Sequence, residues 1–231
     1  MADGVWAIVV AAGEGHRFGS AKQFEPLGDR DVIDWAVQGA ARRCQGVVVV
    51  LPQSQAAGDG AWSPPSMPGR CVGAVLVTAG GVLRSDSVRR GLSLVPAAAE
   101  IVLVHDGARP LAADAVFMRV IQAVRDGADA AVPVIDLTDT IRRRDGGTAD
   151  RRELVAVQTP QAFRAAALRA AHAAGADATD DATLVEAAGG TVAMVAGDSR
   201  NLKITEPHDL AVAEVLLRAG QGLAAAGGDR G

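Results

Sequence analysis

The sequence has little cysteine, no long hydrophobic run and no excess of positive charge. Its two cysteines, Cys44 and Cys71, match no metal-binding or redox spacing. No apolar run approaches the roughly 20 residues that a membrane-spanning helix needs. The formal net charge of −4 provides no general attraction to nucleic acid. We therefore expect a cytoplasmic protein with reduced thiols, and neither nucleic acid nor a membrane as its partner.

Several common catalytic and binding motifs are also missing. The four histidines show no metal-ligand spacing, and no G-x-S-x-G segment provides a hydrolase nucleophile. A Walker A loop, G-x-x-x-x-G-K-[ST], is absent. Gly13 and Gly15 match half of the dinucleotide-binding pattern G-x-G-x-x-G, but Phe18 stands where its third glycine belongs. That site also needs an acidic residue after the second strand, where Pro52 and Gln53 stand, so an NAD-linked oxidoreductase is disfavoured.

Five short, continuously apolar runs alternate with longer helical patterns. The runs cover residues 6–11, 46–51, 74–78, 101–105 and 130–134. Strands buried on both faces have this composition, which is typical of a largely parallel sheet covered by helices. The helical patterns cover residues 31–44, 114–127, 162–175, 179–190 and 206–220. We therefore predict the α/β class with a single domain over residues 1–231, and a first strand in place of a signal peptide at the amino terminus.

Three segments interrupt this alternation. Residues 52–69 form a long loop rich in Pro, Gly and Ser. In residues 136–160, the segments TIRRR and ELVAVQ flank a polar DGGTAD turn, which predicts a hairpin that projects from the sheet. The last residues, 220–231, have the composition of a flexible tail.

The first predicted strand leads into a glycine-rich loop, AAGEGHRFGSAKQF, at residues 11–24. Such a loop lets backbone N–H groups approach phosphates closely, and Arg17 and Lys22 add positive charge. The combination suits a nucleoside triphosphate. A purely structural turn after the first strand fits the loop equally well.

The fourth predicted strand ends in VHDGARP, at residues 104–110. Ligand groups gather at the carboxyl ends of strands in open α/β sheets, so Asp106 is placed to hold Mg²⁺. Arg109 follows three residues later and can reach a phosphate. A turn-capping role for Asp106 is the alternative.

Three further segments carry residues of interest. Residues 80–91 contain a second turn with glycine and arginine, in which Ser85 or Ser87 is able to bond a base or cap the next helix. Lys203 lies in a predicted short strand, NLKIT, and is expected to point into a cleft. The segment TDD, at residues 179–181, begins a predicted helix. Thr179 is a good N-cap for that helix, and this role alone would explain the residue.

Taken together and in order, eight motifs resemble the 2-C-methyl-D-erythritol 4-phosphate cytidylyltransferases. They are AAGEGHRF, AKQF, GGVLRSDSV, LVHDGARP, DTI, QTPQAF, TDDA and NLKIT with PHDL, over residues 6–215. The resemblance implies a Rossmann-like nucleotidyltransferase fold and CMP transfer from CTP to methylerythritol phosphate. It also implies a homodimer in which a β-arm, residues 136–158, helps to build the site of the other subunit. The ribitol 5-phosphate cytidylyltransferases are the related family with another substrate.

The resemblance assigns roles to individual residues. For CTP it implies contacts at Ala11, Ala12, Gly13, Gly15, Gly80, Gly81 and Ser87. For catalysis it implies the cations Arg17, Lys22 and Lys203, with Mg²⁺ at Asp106. For the polyol phosphate it implies Arg109, Thr140, Arg151, Thr159 and Thr179, with Arg152 as a neighbouring candidate for the arm arginine. Two positions depart from the family, since Val82 stands where an acidic residue is frequent and Gly107 where alanine is usual.

The implied reaction needs no general base. A phosphate monoester has a second pKa of about 6, so the substrate is already largely dianionic at neutral pH. The protein has to hold two anions in line and neutralise the developing charge, for which Arg, Lys and Mg²⁺ are suited. A non-catalytic nucleotide-binding protein is the competing hypothesis, and the number of charges around one phosphate chain argues against it.

Overall fold

A computed structural model describes residues 4–13, 15, 18–57, 61–65, 74–175, 178 and 180–227, with side chains described as far as residue 220. Three residues named above, Arg17, Cys71 and Thr179, lie outside these ranges. The catalytic role predicted for Arg17 and the substrate-binding role predicted for Thr179 stay predictions. The N-cap role considered for Thr179 is wrong, because Asp180 caps the helix that begins at Asp181.

The core of the fold is an eight-stranded sheet. The strands of the described residues are β1 (Val5–Val10), β2 (Pro26–Leu27), β3 (Arg30–Asp31), β4 (Gly46–Leu51), β5 (Val75–Ala79), β6 (Ile101–Asp106), β7 (Ala130–Asp136), β8 (Val155–Val157), β9 (Gln161–Arg164) and β10 (Val192–Ala196). The order of the eight-stranded sheet is β10–β7–β9–β6–β1–β4–β5, with β8 also paired to β7. Strands β2 and β3 pair with each other in a separate two-stranded sheet. Strands β6, β1, β4 and β5 are mutually parallel, whereas β9 is antiparallel to both of its neighbours. The predicted, largely parallel sheet is confirmed.

Helices cover both faces of this sheet. They are α1 (Val32–Ala41), α2 (Gln53–Ala56), α3 (Arg84–Leu94), α4 (Asp114–Arg125), α5 (Ala165–Ala173), α6 (Asp181–Ala187) and α7 (Pro207–Gly227). Successive side chains of a strand point to opposite faces. Val5, Ala7 and Val9 of β1 therefore pack against α1 and α4, while Trp6 and Ile8 pack against α3, α5 and α6. This arrangement confirms the α/β class.

Some predicted elements differ from the structure. The helix predicted from residue 162 begins at Ala165, because residues 161–164 form β9, whose Phe163 is fully buried between β6 and β7. The segment TIRRR is not a strand, since only Arg142 forms a bridge, to Thr148, and the hairpin strands are β7 and β8. Lys203 also lies outside any strand, because the backbone around it bonds to a loop through Ile204.

Two predicted irregular segments contain helix. The loop predicted at residues 52–69 begins with the short helix α2, and its residues 58–60 and 66–69 lie outside the described residues. Helix α7 continues to Gly227, so the backbone of residues 220–227 is helical. The flexibility predicted for 220–231 stays a prediction.

Among the described residues, none of the helices combines the length and the apolar composition that crossing a membrane requires.

Candidate active site

A cavity of about 270 Å³ opens at the carboxyl edge of the parallel strands. Parallel strands present their carboxyl ends at one edge of the sheet, so the loops after β1, β5 and β6 meet there. The cavity is lined by many of the predicted residues, namely Ala11, Ala12, Gly13, Lys22, Gly81, Ser87, Asp106 and Lys203. It is also lined by Gln23 and Arg84, which the sequence did not single out for this site.

The glycine-rich loop has a backbone that requires glycine at one position. Gly15 has a φ of +70°, and a Cβ there would lie 2.0 Å from the carbonyl oxygen of Ser20. The buried side chain of Gln23 fixes the loop from below, because its Nε2 donates to the carbonyls of Ala11 (2.8 Å) and Gly13 (3.1 Å). These contacts fix the backbone at Ala11 and Gly13, the described start of the predicted phosphate-binding loop.

The second glycine turn lies against the first loop. A Cβ on Gly80 would come within 2.2 Å of the Cβ of Ala12, so only glycine fits between the two loops. The buried hydroxyl of Ser87 accepts from the N–H of Gly81 (3.1 Å) and donates to the carbonyl of Leu83 (3.2 Å). Ser87 thus shapes the turn in the described structure, and its predicted contact with cytosine stays a prediction.

Asp106 is the carboxylate of the cavity and is surrounded by cations. Its Oδ2 lies 2.8 Å from Nζ of Lys203 and 3.7 Å from Nε of Arg109. Burial alone would raise the pKa of Asp106, but the charges of Lys203, Arg84 and Arg109 outweigh it and lower the pKa to about 2. Asp106 is therefore ionised at any pH near neutrality.

A buried polar network brings Lys203, Arg109 and Thr159 together. Arg109 donates from Nη1 to the carbonyl of Asn201 (2.7 Å), and Nδ2 of Asn201 donates to the carbonyl of Thr159 (2.9 Å). The side chain of Gln158 joins the network through the carbonyl of Asn201, at 3.3 Å. Asn201 is fully buried, so this network determines where Lys203, two residues later, enters the cavity.

The hydroxyl of Thr159 is used inside the protein. It accepts from the N–H of Asp106 (2.9 Å) and lies 3.1 Å from Nδ1 of His105. His105 is fully buried with its ring edge against Phe117. Burial lowers the pKa of His105 to about 4, so its ring is neutral at physiological pH. His105 is thus a packed, hydrogen-bonded residue.

The structure does not bring the two arm residues into the nucleotide cavity. Thr140 is exposed, and Arg151 donates to the carbonyl of Thr138. Arg151 and Arg152 line a separate cavity of about 600 Å³ at the base of the hairpin. Among the described residues, the linings of the two cavities share none.

Asp106 is suited to a metal ion that is shared with a substrate. The described residues contain no group of three or more His, Cys, Asp or Glu side chains that could enclose a metal ion. Mg²⁺ is commonly held by one or two carboxylates together with substrate phosphates and waters. Among the described residues, Asp106 is the one carboxylate that lines the cavity, which fits Mg²⁺ bound to a triphosphate and does not fit a metal held by those residues alone.

The signals for the additional residues were weak in the sequence. Gln23 is the third residue of AKQF, and Asn201 opens NLKIT, but isolated amides are usually surface residues. Only the burial of both side chains identifies them as supports of the site.

Comparison with known proteins finds a family model and relatives that match most of the chain. The family model described as IspD: 2-C-methyl-D-erythritol 4-phosphate cytidylyltransferase matches residues 5–219. A 2-C-methyl-D-erythritol 4-phosphate cytidylyltransferase of Nocardia farcinica is 44% identical, over 92% of this chain and 94% of its own length. One of Rhodococcus jostii is 42% identical, over 95% and 99%.

Similarity extends to a solved structure. The crystal structure of 2-C-methyl-D-erythritol 4-phosphate cytidylyltransferase from Thermus thermophilus superposes with a TM-score of 0.76 at 36% identity. The superposition covers 92% of this chain and 98% of that one. With the family model covering nearly the whole chain, these matches show that the protein belongs to the 2-C-methyl-D-erythritol 4-phosphate cytidylyltransferase family.

Proposed function

We propose that this enzyme transfers CMP from CTP to 2-C-methyl-D-erythritol 4-phosphate and releases pyrophosphate. The observation that carries the proposal is the ion pair of Asp106 and Lys203, 2.8 Å apart, in a cavity lined by two glycine turns. Glycine turns suit a nucleotide with phosphates, and the pair places a metal-binding charge beside a cation.

The reaction is a substitution at the α-phosphorus of CTP. An oxygen of the substrate phosphate forms the new bond to that phosphorus. The bond from the α-phosphorus to the oxygen that bridges the α- and β-phosphates of CTP breaks, and pyrophosphate leaves with that oxygen. The substrate phosphate, with a second pKa of about 6, is already deprotonated at neutral pH. Lys22 and Lys203 stabilise the charge that develops, and Arg17 adds a third cation from the same loop as Lys22.

The nucleotide is held mainly by backbone groups. In the proposal, the loop of Ala11, Ala12, Gly13 and Gly15 surrounds the phosphates. The turn of residues 80–81 reads the edge of the cytosine. When bound, Mg²⁺ at Asp106 neutralises charge on the triphosphate.

In the proposal, the polyol phosphate binds on the side of Asp106 opposite to the triphosphate of CTP. Arg109 is partly buried and already oriented by Asp106 and Asn201, so it presents a fixed cation next to the metal-binding carboxylate. Thr159 and Thr179 complete this side of the proposed site. Thr140 and Arg151 come from the arm of a second subunit, which makes the functional unit a homodimer. The cytoplasmic location belongs to the proposal as well.

A pyrophosphate-release assay with CTP, Mg²⁺ and either methylerythritol phosphate or ribitol 5-phosphate tests the substrate. We expect turnover with the first and turnover lower by about 10-fold or more with the second, because a site discriminates between substrates of different shape. Equal turnover with ribitol 5-phosphate, or none with methylerythritol phosphate, would contradict the proposal.

A second prediction concerns the nucleotide. The turn at Gly80 packs closely on Ala12, since an added Cβ would lie 2.2 Å from the Cβ of Ala12, and the proposal places the base at this turn. We expect turnover with ATP to be lower than with CTP by about 100-fold or more, with UTP between them. Comparing the kcat/KM values of the three nucleotides checks this, and equal values for ATP and CTP would refute the assignment of the turn.

A further inference from the structure

A chain of charges leads from the nucleotide cavity to helix α6. Arg84 lines the cavity at the start of α3, and its Nη1 lies 2.7 Å from Oδ2 of Asp181. The other oxygen of Asp181 lies 2.9 Å from Nε2 of His172 on α5. The side chains of Asp181 and His172 are 1% and 2% exposed. Arg84 therefore connects the cavity with the packing between α5 and α6.

Neighbouring charges shift the pKa values of both Asp181 and Arg84 in favour of their charged forms. Burial alone would raise the pKa of Asp181, but His172 and Arg84 outweigh it and lower the pKa. Burial alone would lower the pKa of Arg84, but Asp181 and then Asp106 outweigh it and raise the pKa. One guanidinium thus lies in the field of two carboxylates, one from the cavity and one from α6.

The start of α6 also contacts the first residue of β9, Gln161, which closely follows Thr159. Asp180 caps α6 by accepting from the N–H of Thr183 at 2.9 Å. Its other oxygen accepts from Nε2 of Gln161, at 3.3 Å, two residues after Thr159. Hydrogen bonds thus link the start of α6 to Gln161, and Thr159, two residues earlier, to the backbone of Asp106.

We propose that Arg84 is a positioning residue. Through Asp181, it fixes the start of α6 and the Thr159 loop, residues 158–160 between β8 and β9, relative to the nucleotide cavity. The inference rests on the proposed function, because it assigns this loop to the polyol phosphate. Binding of the polyol phosphate depends on Arg84, whereas binding of CTP does not. In this proposal Arg84 acts through Asp181, whose Oδ2 lies 2.7 Å from its Nη1, and not as a phosphate ligand.

Two variants separate these roles, Arg84→Gln and Asp181→Asn. Each breaks the same ion pair, so each is expected to raise KM for methylerythritol phosphate by about 10- to 100-fold. The Kd of CTP, measured by isothermal titration without the second substrate, stays nearly unchanged. The double variant is expected to be no worse than either single variant, because both remove one interaction. A phosphate-binding Arg84 would weaken CTP binding in Arg84→Gln and not in Asp181→Asn, which would overturn the proposal.

Amide hydrogen exchange measures the positioning without turnover. Both variants are expected to accelerate exchange at Thr183, whose N–H caps into Asp180, and Arg84→Lys is expected to restore part of the protection. Unchanged exchange at Thr183 in both variants would overturn the proposal. If Asp181→Asn does not fold, His172→Gln removes the other contact that holds the Asp181 carboxylate. It is expected to raise KM for the polyol phosphate by a smaller factor, with little change in the Kd of CTP.

Arg169→Gln is the matched control. Arg169 also lies on α5, and its Nη2 donates to the carbonyls of Val95 and Pro96. Its loss is expected to leave KM for the polyol phosphate and exchange at Thr183 unchanged. Absence of turnover in the unmodified enzyme would refute the proposed function, while the exchange experiment would still decide whether Arg84 positions α6.

Discussion

Replacing Lys203 with alanine is expected to lower kcat by about 10²–10³-fold. Nζ of Lys203 lies 2.8 Å from Asp106 and faces the cavity in which the α-phosphorus is to react. The cation matters most when that phosphorus becomes crowded and negative, so its effect belongs to the transition state. Steady-state rates of pyrophosphate release give kcat, and titration calorimetry gives the Kd of CTP, which we expect to change far less.

The same expectation applies to Lys22→Ala, because Lys22 lines the cavity from the opposite loop. Arg200→Gln is a suitable control, since Arg200 lies three residues before Lys203 and forms an exposed pair with Asp198 (3.1 Å). It is expected to retain activity. If either lysine variant kept near-normal kcat and showed only a raised KM, its catalytic role would be wrong.

Burial explains which parts of the fold could be predicted. The valine-rich strands β1, β4 and β6 are buried on both faces, so their composition alone identified them. Strand β9 has only four residues and continues directly into the alanine-rich helix α5. The helical pattern of α5 therefore led to a predicted helix that included most of β9. Strand β10 has a short apolar run, VAMVA, but it is a partly exposed edge strand and was not predicted.

The candidate site was predicted through its charged residues and glycines. Asp106, Lys22 and Lys203 were named from the sequence, and they line one cavity. Their mutual geometry was not predictable, because the Asp106–Lys203 pair joins residues that lie far apart in the chain. The supporting amides of Gln23 and Asn201 were missed, since nothing in the sequence shows that a single amide is buried.

The arm carries the second large expected effect. Its central part, residues 142–148, is exposed, and Leu154, Val155 and Val157 are exposed apolar side chains on and beside β8. A two-stranded hairpin is marginally stable alone, so these side chains favour packing against another subunit. Arg151 would then serve the polyol phosphate of the neighbouring site as a charge-assisted partner.

Mixing two inactive variants is expected to restore activity if this arrangement holds. In a heterodimer of Arg151→Ala and Lys22→Ala chains, one site receives an intact Lys22 from its own subunit and an intact Arg151 from the other. The second site lacks both. Up to about half of the sites in each heterodimer would therefore recover. Pyrophosphate release is measured after subunit exchange, which is followed independently by mass spectrometry of differently tagged chains.

Arg152→Ala provides the control on the same arm. Arg152 already pairs with Asp150 at 2.7 Å, close by on the surface, so its loss alone is expected to leave most of the activity. Both arginines line the cavity at the base of the hairpin, but Arg151 bonds a backbone carbonyl there and not a carboxylate. If subunits exchange and the mixture of Arg151→Ala and Lys22→Ala chains remains inactive, Arg151 does not act across the interface. Loss of activity in Arg152→Ala with full activity in Arg151→Ala would transfer the role to Arg152.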